Sequence, residues 1–324
     1  LKKTLKLILP VVLGGFILFW VYRDFDFTKA GDVLLHGTNW WWMLFSLVFG
    51  VFAQVFRGWR WRQTLEPLDA FPKKSDSVNA IFISYAASLV VPRIGEVSRC
   101  GVLAKYDNVS FAKSLGTVVT ERLVDTLTIL LITGITVLLQ LPIFVTFLQQ
   151  TGTKIPSLVH LLTSVWFYII LFCFIGVAIL LYYLRKTLFF YERVKGFVLN
   201  IWEGIMSLKG VRNIPLFIFY TLAIWVCYFL HFYFTFYCFA FTAHLGILAA
   251  LVMFVGGTFA VIVPTPNGAG PWHFAIISMM MLYGVNVTDA GIFALIVHGI
   301  QTFLVVLLGI YGFAALSFTN RHRG

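Results

Sequence analysis

Long apolar runs separated by short polar stretches dominate the pattern of this chain. A helix that crosses a bilayer takes about 20 mostly apolar residues. The runs that approach this length cover residues 5–22, 40–56, 114–141, 164–184, 214–243 and 290–316. The pattern therefore predicts an all-α polytopic membrane protein whose spanning helices are these six segments.

Two further apolar regions are interrupted near their centres. Residues 78–105 contain PRIGE, and residues 246–284 contain PTPNGAGP. Proline removes a backbone donor and glycine weakens a helix interior, so neither region is expected to form one continuous helix. Each half is too short to span alone. Each region is therefore predicted to be a re-entrant helical hairpin, whose exposed backbone must be covered by protein or water.

The distribution of Lys and Arg predicts the orientation. With both termini in the cytoplasm, most of the 24 Lys and Arg residues fall on the cytoplasmic side, as the positive-inside rule requires. This count includes Arg57 and Arg60, placed after the span at 40–56, whereas Arg23 falls outside. If either broken region crossed the bilayer once, every later loop would change sides and the bias would be lost.

The same order of parts occurs in residues 40–141 and 214–316: a spanning helix, a broken hairpin and another spanning helix. The predicted topology gives the two segments opposite orientations, with Pro92 and Pro264 at matching positions. Residues 1–324 are thus predicted to form a single membrane domain built on an inverted repeat. Matched broken helices are typical of a transporter's substrate site, although hairpins that only fill the bundle would give the same pattern.

Two features predict contact with the membrane interface. The segment that joins the repeats has apolar residues at helical spacing, which predicts an interfacial amphipathic helix over approximately 187–210. Tryptophans in TNWWWM and RGWRWR bracket the span at 40–56. Because tryptophan favours the membrane interface, these residues are predicted to be belt anchors.

The first hairpin tip, PRIGEVSR, places charge within the predicted membrane region. Arg93, Glu96 and Arg99 recur at intervals of three, so they share one face of a helix that starts near residue 93. One interpretation is a self-neutralising set of ion pairs. The other is an anion site, because two arginines face one glutamate and the N–H groups at the helix start add positive charge.

A second charged cluster begins a predicted spanning helix, in TVVTERLVDTLTILL. Glu121 and Asp125 lie on one face, and Arg122 is spaced to pair with Asp125. Each ionisable residue deep in a bilayer costs about 2.5–3.5 kcal/mol, so all three are expected to face the protein interior. The cluster is either a structural lock that holds an arginine of the first hairpin or a polar cavity wall. Glu121 has no partner nearby in the sequence and is the stronger functional candidate.

The candidate site residues fall into two groups. The candidates for substrate binding are Arg93, Glu96, Arg99, Glu121, Arg122 and Asp125. The candidates at the hairpin tips are Pro92, Gly95, Pro264, Pro266, Asn267, Gly268, Gly270 and His273.

Composition narrows the possible functions. Hydrophobic residues make up 60% of the chain and charged residues 11%, against about 25% charged in soluble proteins. The net charge of +11 indicates cytoplasmic anchoring and attraction to anionic lipid rather than nucleic-acid binding. The cysteines and histidines have no metal-ligand spacing, so neither a metal nor a cofactor is expected. The common hydrolase and metalloprotease motifs do not occur, and an enzyme is not expected.

The motifs VPRIGEVSR and TVVTERLVD resemble the lysylphosphatidylglycerol synthase transmembrane region family, a flippase-like integral membrane domain. The residues that carry this resemblance are Pro92, Gly95, Glu96, Arg99, Glu121, Arg122 and Asp125. The second hairpin, PTPNGAGPWHF, corresponds more loosely, at Pro264, Gly268 and Gly270. The resemblance covers nearly the whole chain and implies a stand-alone member without the synthase domain.

The resemblance implies a flippase-like transporter of lipids in a bacterial or archaeal cytoplasmic membrane. The charged residues of the first hairpin tip and of the helix that follows predict an anionic substrate, either a phospholipid or a polyprenyl-linked glycolipid. The alternatives are a membrane-embedded lipid-modifying transferase and a non-transporting partner of a lipid or glycan synthase. The expected partners are membrane lipids, such a synthase and a second copy of the chain in a homodimer.

Overall fold

Helices form nearly all of the secondary structure in the computed structural model, which describes residues 2–141 and 210–319; these residues contain no strand. A helix pairs its backbone polar groups within itself, which a lipid environment demands. The described α-helices are α1 (Lys2–Tyr22), α2 (Phe27–Asp32), α3 (Trp40–Leu65), α4 (Lys74–Val90), α5 (Ile94–Tyr106), α6 (Phe111–Leu139), α7 (Ile214–Tyr233), α8 (Ile247–Ala260), α9 (Pro271–Leu282) and α10 (Val287–Thr319).

Four helical segments in the described part of the chain are long and apolar enough to cross a membrane. They are Trp40–Leu68, Phe111–Leu139, Ile214–Cys238 and Val287–Phe318. These segments correspond to four of the six predicted spans. The predicted span at 5–22 coincides with α1. Its apolar part, Leu9–Tyr22, is shorter than the four segments above.

The other predictions for the middle of the chain lie outside the described residues. They are the span at 164–184 and almost all of the interfacial helix predicted over 187–210.

Helix α3 continues well beyond the predicted end of its span at residue 56. The prediction ended the span where arginines interrupt the apolar run, but Arg57 and Arg60 are 3% and 0% exposed in the structure. The predicted end of the helix at residue 56 was therefore wrong. The helix continues because carboxylates of another helix neutralise both side chains inside the protein.

Helix α7 ends earlier than predicted. The span was expected to reach residue 243, but the α-helix ends at Tyr233 and a 3₁₀ turn, Phe234–Cys238, follows. The buried hydroxyl of Thr242 donates to the carbonyl oxygens of Phe236 and Phe239, at 2.7 and 3.3 Å. This side chain supplies the hydrogen bonds that the interrupted helix lacks.

The first broken region forms a helical hairpin of α4 and α5. The turn places Arg93 in the left-handed region, at φ 65°. Gly95 then lies directly against α4, since a Cβ atom there would clash with the carbonyl oxygen of Ser84 and the hydroxyl of Ser88. The Ser88 hydroxyl accepts a hydrogen bond from the Gly95 N–H at 3.2 Å. Only glycine allows the two helices of this hairpin to approach so closely.

The second broken region joins α8 to α9 through a longer turn. Asn267, Gly268 and Gly270 all have positive φ, at 51°, 71° and 92°. Asn267 is held by α10, because its Nδ2 donates to Thr302 Oγ1 at 2.7 Å. The break predicted at PTPNGAGP is present, and this turn is tied to a long helix by side-chain hydrogen bonds.

Helices of one predicted repeat pack against helices of the other. Helices α3 and α7, the first long helix of each repeat, pack against each other. Helix α4 packs on α10, and its counterpart α8 packs on α6. Thus the first arm of each hairpin lies against the last long helix of the other repeat. The inverted repeat and the opposite membrane orientations of its halves remain predictions.

Candidate functional site

Buried charges from three helices converge in the first half of the molecule. Helix α3 supplies two arginines, and α5 supplies an arginine and a glutamate. Helix α6 supplies a glutamate, an aspartate and a further arginine. The residues are Arg57, Arg60, Glu96, Arg99, Glu121, Arg122 and Asp125. We call this set the charged cluster.

Asp125 is the anchor of one end of the charged cluster. Its Oδ2 accepts from Arg57 Nη1 at 2.8 Å, and its Oδ1 accepts from Arg60 Nη2 at 2.7 Å. Arg122, the partner expected from sequence spacing, is more distant, with Nη2 at 3.9 Å from Oδ2. The main partners of Asp125 therefore come from α3 rather than from its own helix.

Glu121 has its partners on other helices. Its Oε2 lies 2.6 Å from Arg99 Nη2, and its Oε1 lies 3.6 Å from Arg60 Nη2. The Glu121 side chain is fully buried, and the Arg99 side chain is 2% exposed. The guanidinium of Arg99 also lies over the ring of Trp61, at 4.5 Å from its centroid. This arrangement makes Glu121 and Arg99 a sealed ion pair that ties the first hairpin to α6.

Trp61 does not serve as a membrane anchor. Its ring is fully buried, and its Nε1 donates to Thr117 Oγ1 at 3.0 Å. The interface role predicted for this tryptophan was wrong, because the ring covers the Arg99 guanidinium inside the bundle. By contrast, Trp41 near the other end of α3 is 83% exposed.

The outer face of the charged cluster is open. Glu96 Oε1 lies 3.2 Å from Arg122 Nε, and these side chains are 37% and 45% exposed. Both line a cavity of about 220 Å³, together with Pro92 and Arg93. Arg93 makes no ion pair with any described residue.

The second hairpin forms the opposite wall of this cavity. Its contribution comes from Pro264, Thr265, Asn267 and Gly268. The turns of both hairpins, which are far apart in sequence, therefore border one space. We call it the tip cavity.

The remaining predicted tip residues do not line the tip cavity. Gly270 packs against α1, where a Cβ atom would lie 2.9 Å from the Gly14 carbonyl oxygen. His273 is buried, with its ring centroid 5.7 Å from that of Tyr22 and 4.5 Å from that of His298. Pro266 lies in the short 3₁₀ turn that precedes them.

The charge balance differs from the predicted one. The sequence prediction counted three arginines, one of them Arg93, and three acids. The structure adds Arg57 and Arg60 from α3. The charged cluster then holds four arginines and three carboxylates, and Arg93 adds a further positive charge at the tip cavity. Arg57 and Arg60 were missed because they follow an apolar run; their spacing of three residues was the available signal.

Comparison with known proteins supports the resemblance given by the motifs. No curated protein and no solved structure matched the chain. The profile of the family described as "Lysylphosphatidylglycerol synthase TM region" matches residues 7–309. This match covers both hairpins and the charged cluster, and the chain belongs to the lysylphosphatidylglycerol synthase transmembrane region family.

Proposed function

We propose that this chain is a lipid flippase, which moves an anionic phospholipid or a polyprenyl-linked glycolipid across the cytoplasmic membrane. In this proposal α4–α5 and α8–α9 are re-entrant hairpins that enter from opposite sides. Both termini are cytoplasmic, as the distribution of Lys and Arg predicts. The family and the apolar helices support a multi-pass membrane protein, and the proposal adds the substrate and the movement.

The observation that carries the proposal is the tip cavity. It lies where the two broken helices meet, and its charged lining is Arg93, Arg122 and Glu96. Two positive charges against one negative charge favour an anion. Broken helices that meet at a polar cavity are the usual architecture of a substrate site in transporters with inverted repeats.

The charged residues divide into two roles by exposure. Arg99, Glu121 and Asp125 are sealed and hold α3, α5 and α6 together. Arg122 and Glu96 are accessible, and their ion pair is not tightly enclosed. A lipid phosphate that enters the cavity would replace Glu96 beside Arg122, while the acyl chains remain in the bilayer. Such an exchange gives the binding site two states, which transport by alternating access needs.

The test uses purified protein in phosphatidylcholine vesicles that contain a fluorescently labelled phosphatidylglycerol. Reduction of the label in the outer leaflet by dithionite reports how fast lipid from the inner leaflet becomes accessible. Arg122→Gln is expected to slow this exchange about tenfold or more, the effect of losing one hydrogen bond between a guanidinium and the lipid phosphate. Arg93→Gln should also slow the exchange, because Arg93 lines the same cavity.

The matched control is Lys105→Gln. Lys105 lies on the same hairpin and is exposed, so this variant removes one positive charge away from the tip cavity. It should exchange lipid at the wild-type rate. Wild-type exchange in Arg122→Gln and Arg93→Gln together would reject the tip cavity as the site. If mass spectrometry of the recovered lipid shows a modified head group, the chain is instead a transferase.

A further inference from the structure

A second cavity lies beside the tip cavity and is lined by different chemistry. Its volume is about 200 Å³, and none of the described residues that line it is Asp, Glu, Lys or Arg. The polar lining consists of Gln54, Tyr85, Tyr228, His231, Asn267, Trp272, His298 and Gln301. We call this space the amide chamber. Tyr85 and Asn267 line both spaces, so the charged and uncharged sites are direct neighbours.

One side chain of the amide chamber lacks a partner. Gln54 is 6% exposed, and its Oε1 is buried with no hydrogen bond to any described residue. A buried amide oxygen without a partner loses the hydrogen bonds that water would give it, which is unfavourable. Since nearly all such groups are satisfied in native proteins, this oxygen indicates that a donor enters the chamber.

The other polar groups are already fixed in place. Asn267 Nδ2 donates to Thr302 Oγ1 at 2.7 Å, and His298 Nε2 lies 3.1 Å from the Asn267 carbonyl oxygen. The hydroxyls of Tyr85 and Tyr228 are 2.9 Å apart. Amides and hydroxyls both donate and accept, so together they match a ligand with several hydroxyl groups. The aromatic side chains of Trp272 and both tyrosines also line the chamber.

We infer that the amide chamber binds the uncharged polyhydroxy part of a lipid head group whose phosphate lies in the tip cavity. The inference rests on the proposed lipid transport and names its substrate class: a lipid phosphate that carries a sugar or another polyol. A head group with an ammonium is disfavoured, because no carboxylate lines the chamber to neutralise it.

Binding to the purified full chain in detergent tests this inference without relying on transport. The probes are phosphatidylinositol, phosphatidic acid and phosphatidylethanolamine with the same acyl chains, and native mass spectrometry measures their affinities. Phosphatidylinositol should bind about tenfold more tightly than phosphatidic acid, which corresponds to one or two additional hydrogen bonds. Phosphatidylethanolamine should bind the most weakly.

The variant Gln54→Met keeps the size of the side chain and removes its polar atoms. It should reduce the preference for phosphatidylinositol to less than about twofold, with unchanged affinity for phosphatidic acid. Gln63→Met is the matched control, because Gln63 lies on the same helix, is 8% exposed and also has an unpartnered Oε1, but lies outside the chamber. Gln301→Met replaces Gln54→Met if the latter does not fold.

The outcomes separate this inference from the proposed function. Three results would each reject the inferred polyol binding in the amide chamber. They are equal binding of phosphatidylinositol and phosphatidic acid, tight binding of phosphatidylethanolamine, and a preference for phosphatidylinositol that is unchanged in the chamber variants. If wild-type vesicles exchange no lipid but the Gln54-dependent preference remains, the flippase proposal fails and the chamber stands.

Discussion

The two hairpins turn in a similar way, but the side chains at their turns differ in charge. In both, the helix breaks at a proline-containing turn with a left-handed residue, Arg93 in the first and Asn267 in the second. The first hairpin then carries charged side chains that pair with α6. The described second hairpin carries amide and imidazole groups that contact α10 and α1.

This difference concerns how each hairpin turn is held in the structure. A charged tip must be anchored by other charges, and α6 supplies them, since Glu121 pairs with Arg99 and Arg122 pairs with Glu96. An uncharged tip is anchored by neutral hydrogen bonds, such as the one from Asn267 Nδ2 to Thr302 Oγ1. In our two proposals, one site binds an anion and the neighbouring one binds a polyol.

The largest expected effect concerns the sidedness of the two hairpins. Asn108 follows the first hairpin, Asn286 follows the second, and both are exposed. In intact vesicles or cells, a cysteine at 108 should react with a membrane-impermeant maleimide only from the cytoplasm, and one at 286 only from outside. Labelling of both positions from the same side would reject the inverted repeat. A cysteine at Ile94 should react more slowly than one at 108.

The next effect is the loss of stability when the sealed ion pair is broken. Arg99→Gln leaves Glu121 buried without its closest partner, and the free energy of unfolding should fall by about 3–5 kcal/mol. His273→Gln, at a buried polar position in the second hairpin, should cost about 1–3 kcal/mol. Denaturant unfolding in detergent micelles measures both.

A double variant sharpens that result. Arg99→Gln combined with Glu121→Gln removes both charges, so it should be more stable than Arg99→Gln alone. If Arg99→Gln and His273→Gln lower the free energy of unfolding equally, charge pairing does not distinguish the two hairpins.

A smaller effect is expected from the close approach of helices within each hairpin. Gly95→Ala should cost about 1–3 kcal/mol, because its Cβ would meet the backbone of α4. Gly257→Ala in the second hairpin should cost less, since its nearest neighbour is the Trp272 side chain, which is able to move.

Gly101→Ala is the control on α5, where nothing lies within 4 Å of the added Cβ, and it should raise helix stability by roughly 0.5–1 kcal/mol. The same unfolding measurement applies. A neutral Gly95→Ala would contradict the observed packing of α4 against α5.

Much of this architecture follows from local pattern. Apolar length located the long helices α6, α7 and α10, and proline with glycine located both breaks. The i,i+3 and i,i+4 spacing of charges on α5 and α6 identified the side chains that form one part of the charged cluster. Each of these predictions depends only on residues within one turn or one helix of each other.

The pairing of the charges could not be predicted in this way. Local spacing matched Arg122 to Asp125, but Arg57 and Arg60 of α3 are the closer partners. Burial of an arginine is favourable only when a carboxylate from elsewhere neutralises it. The sequence of α3 therefore indicated a helix end where the structure has a helix interior.

The sequence by itself determined the all-helical membrane class, the two broken regions and the charged residues of the first tip. Only the tertiary structure decided that both tips border one cavity and that an uncharged chamber adjoins it. The physical reason is that helix formation and membrane insertion depend on short apolar runs. A cavity, in contrast, exists between side chains that are distant in the chain, and helix packing alone brings Arg122 and Asn267 to its opposite walls.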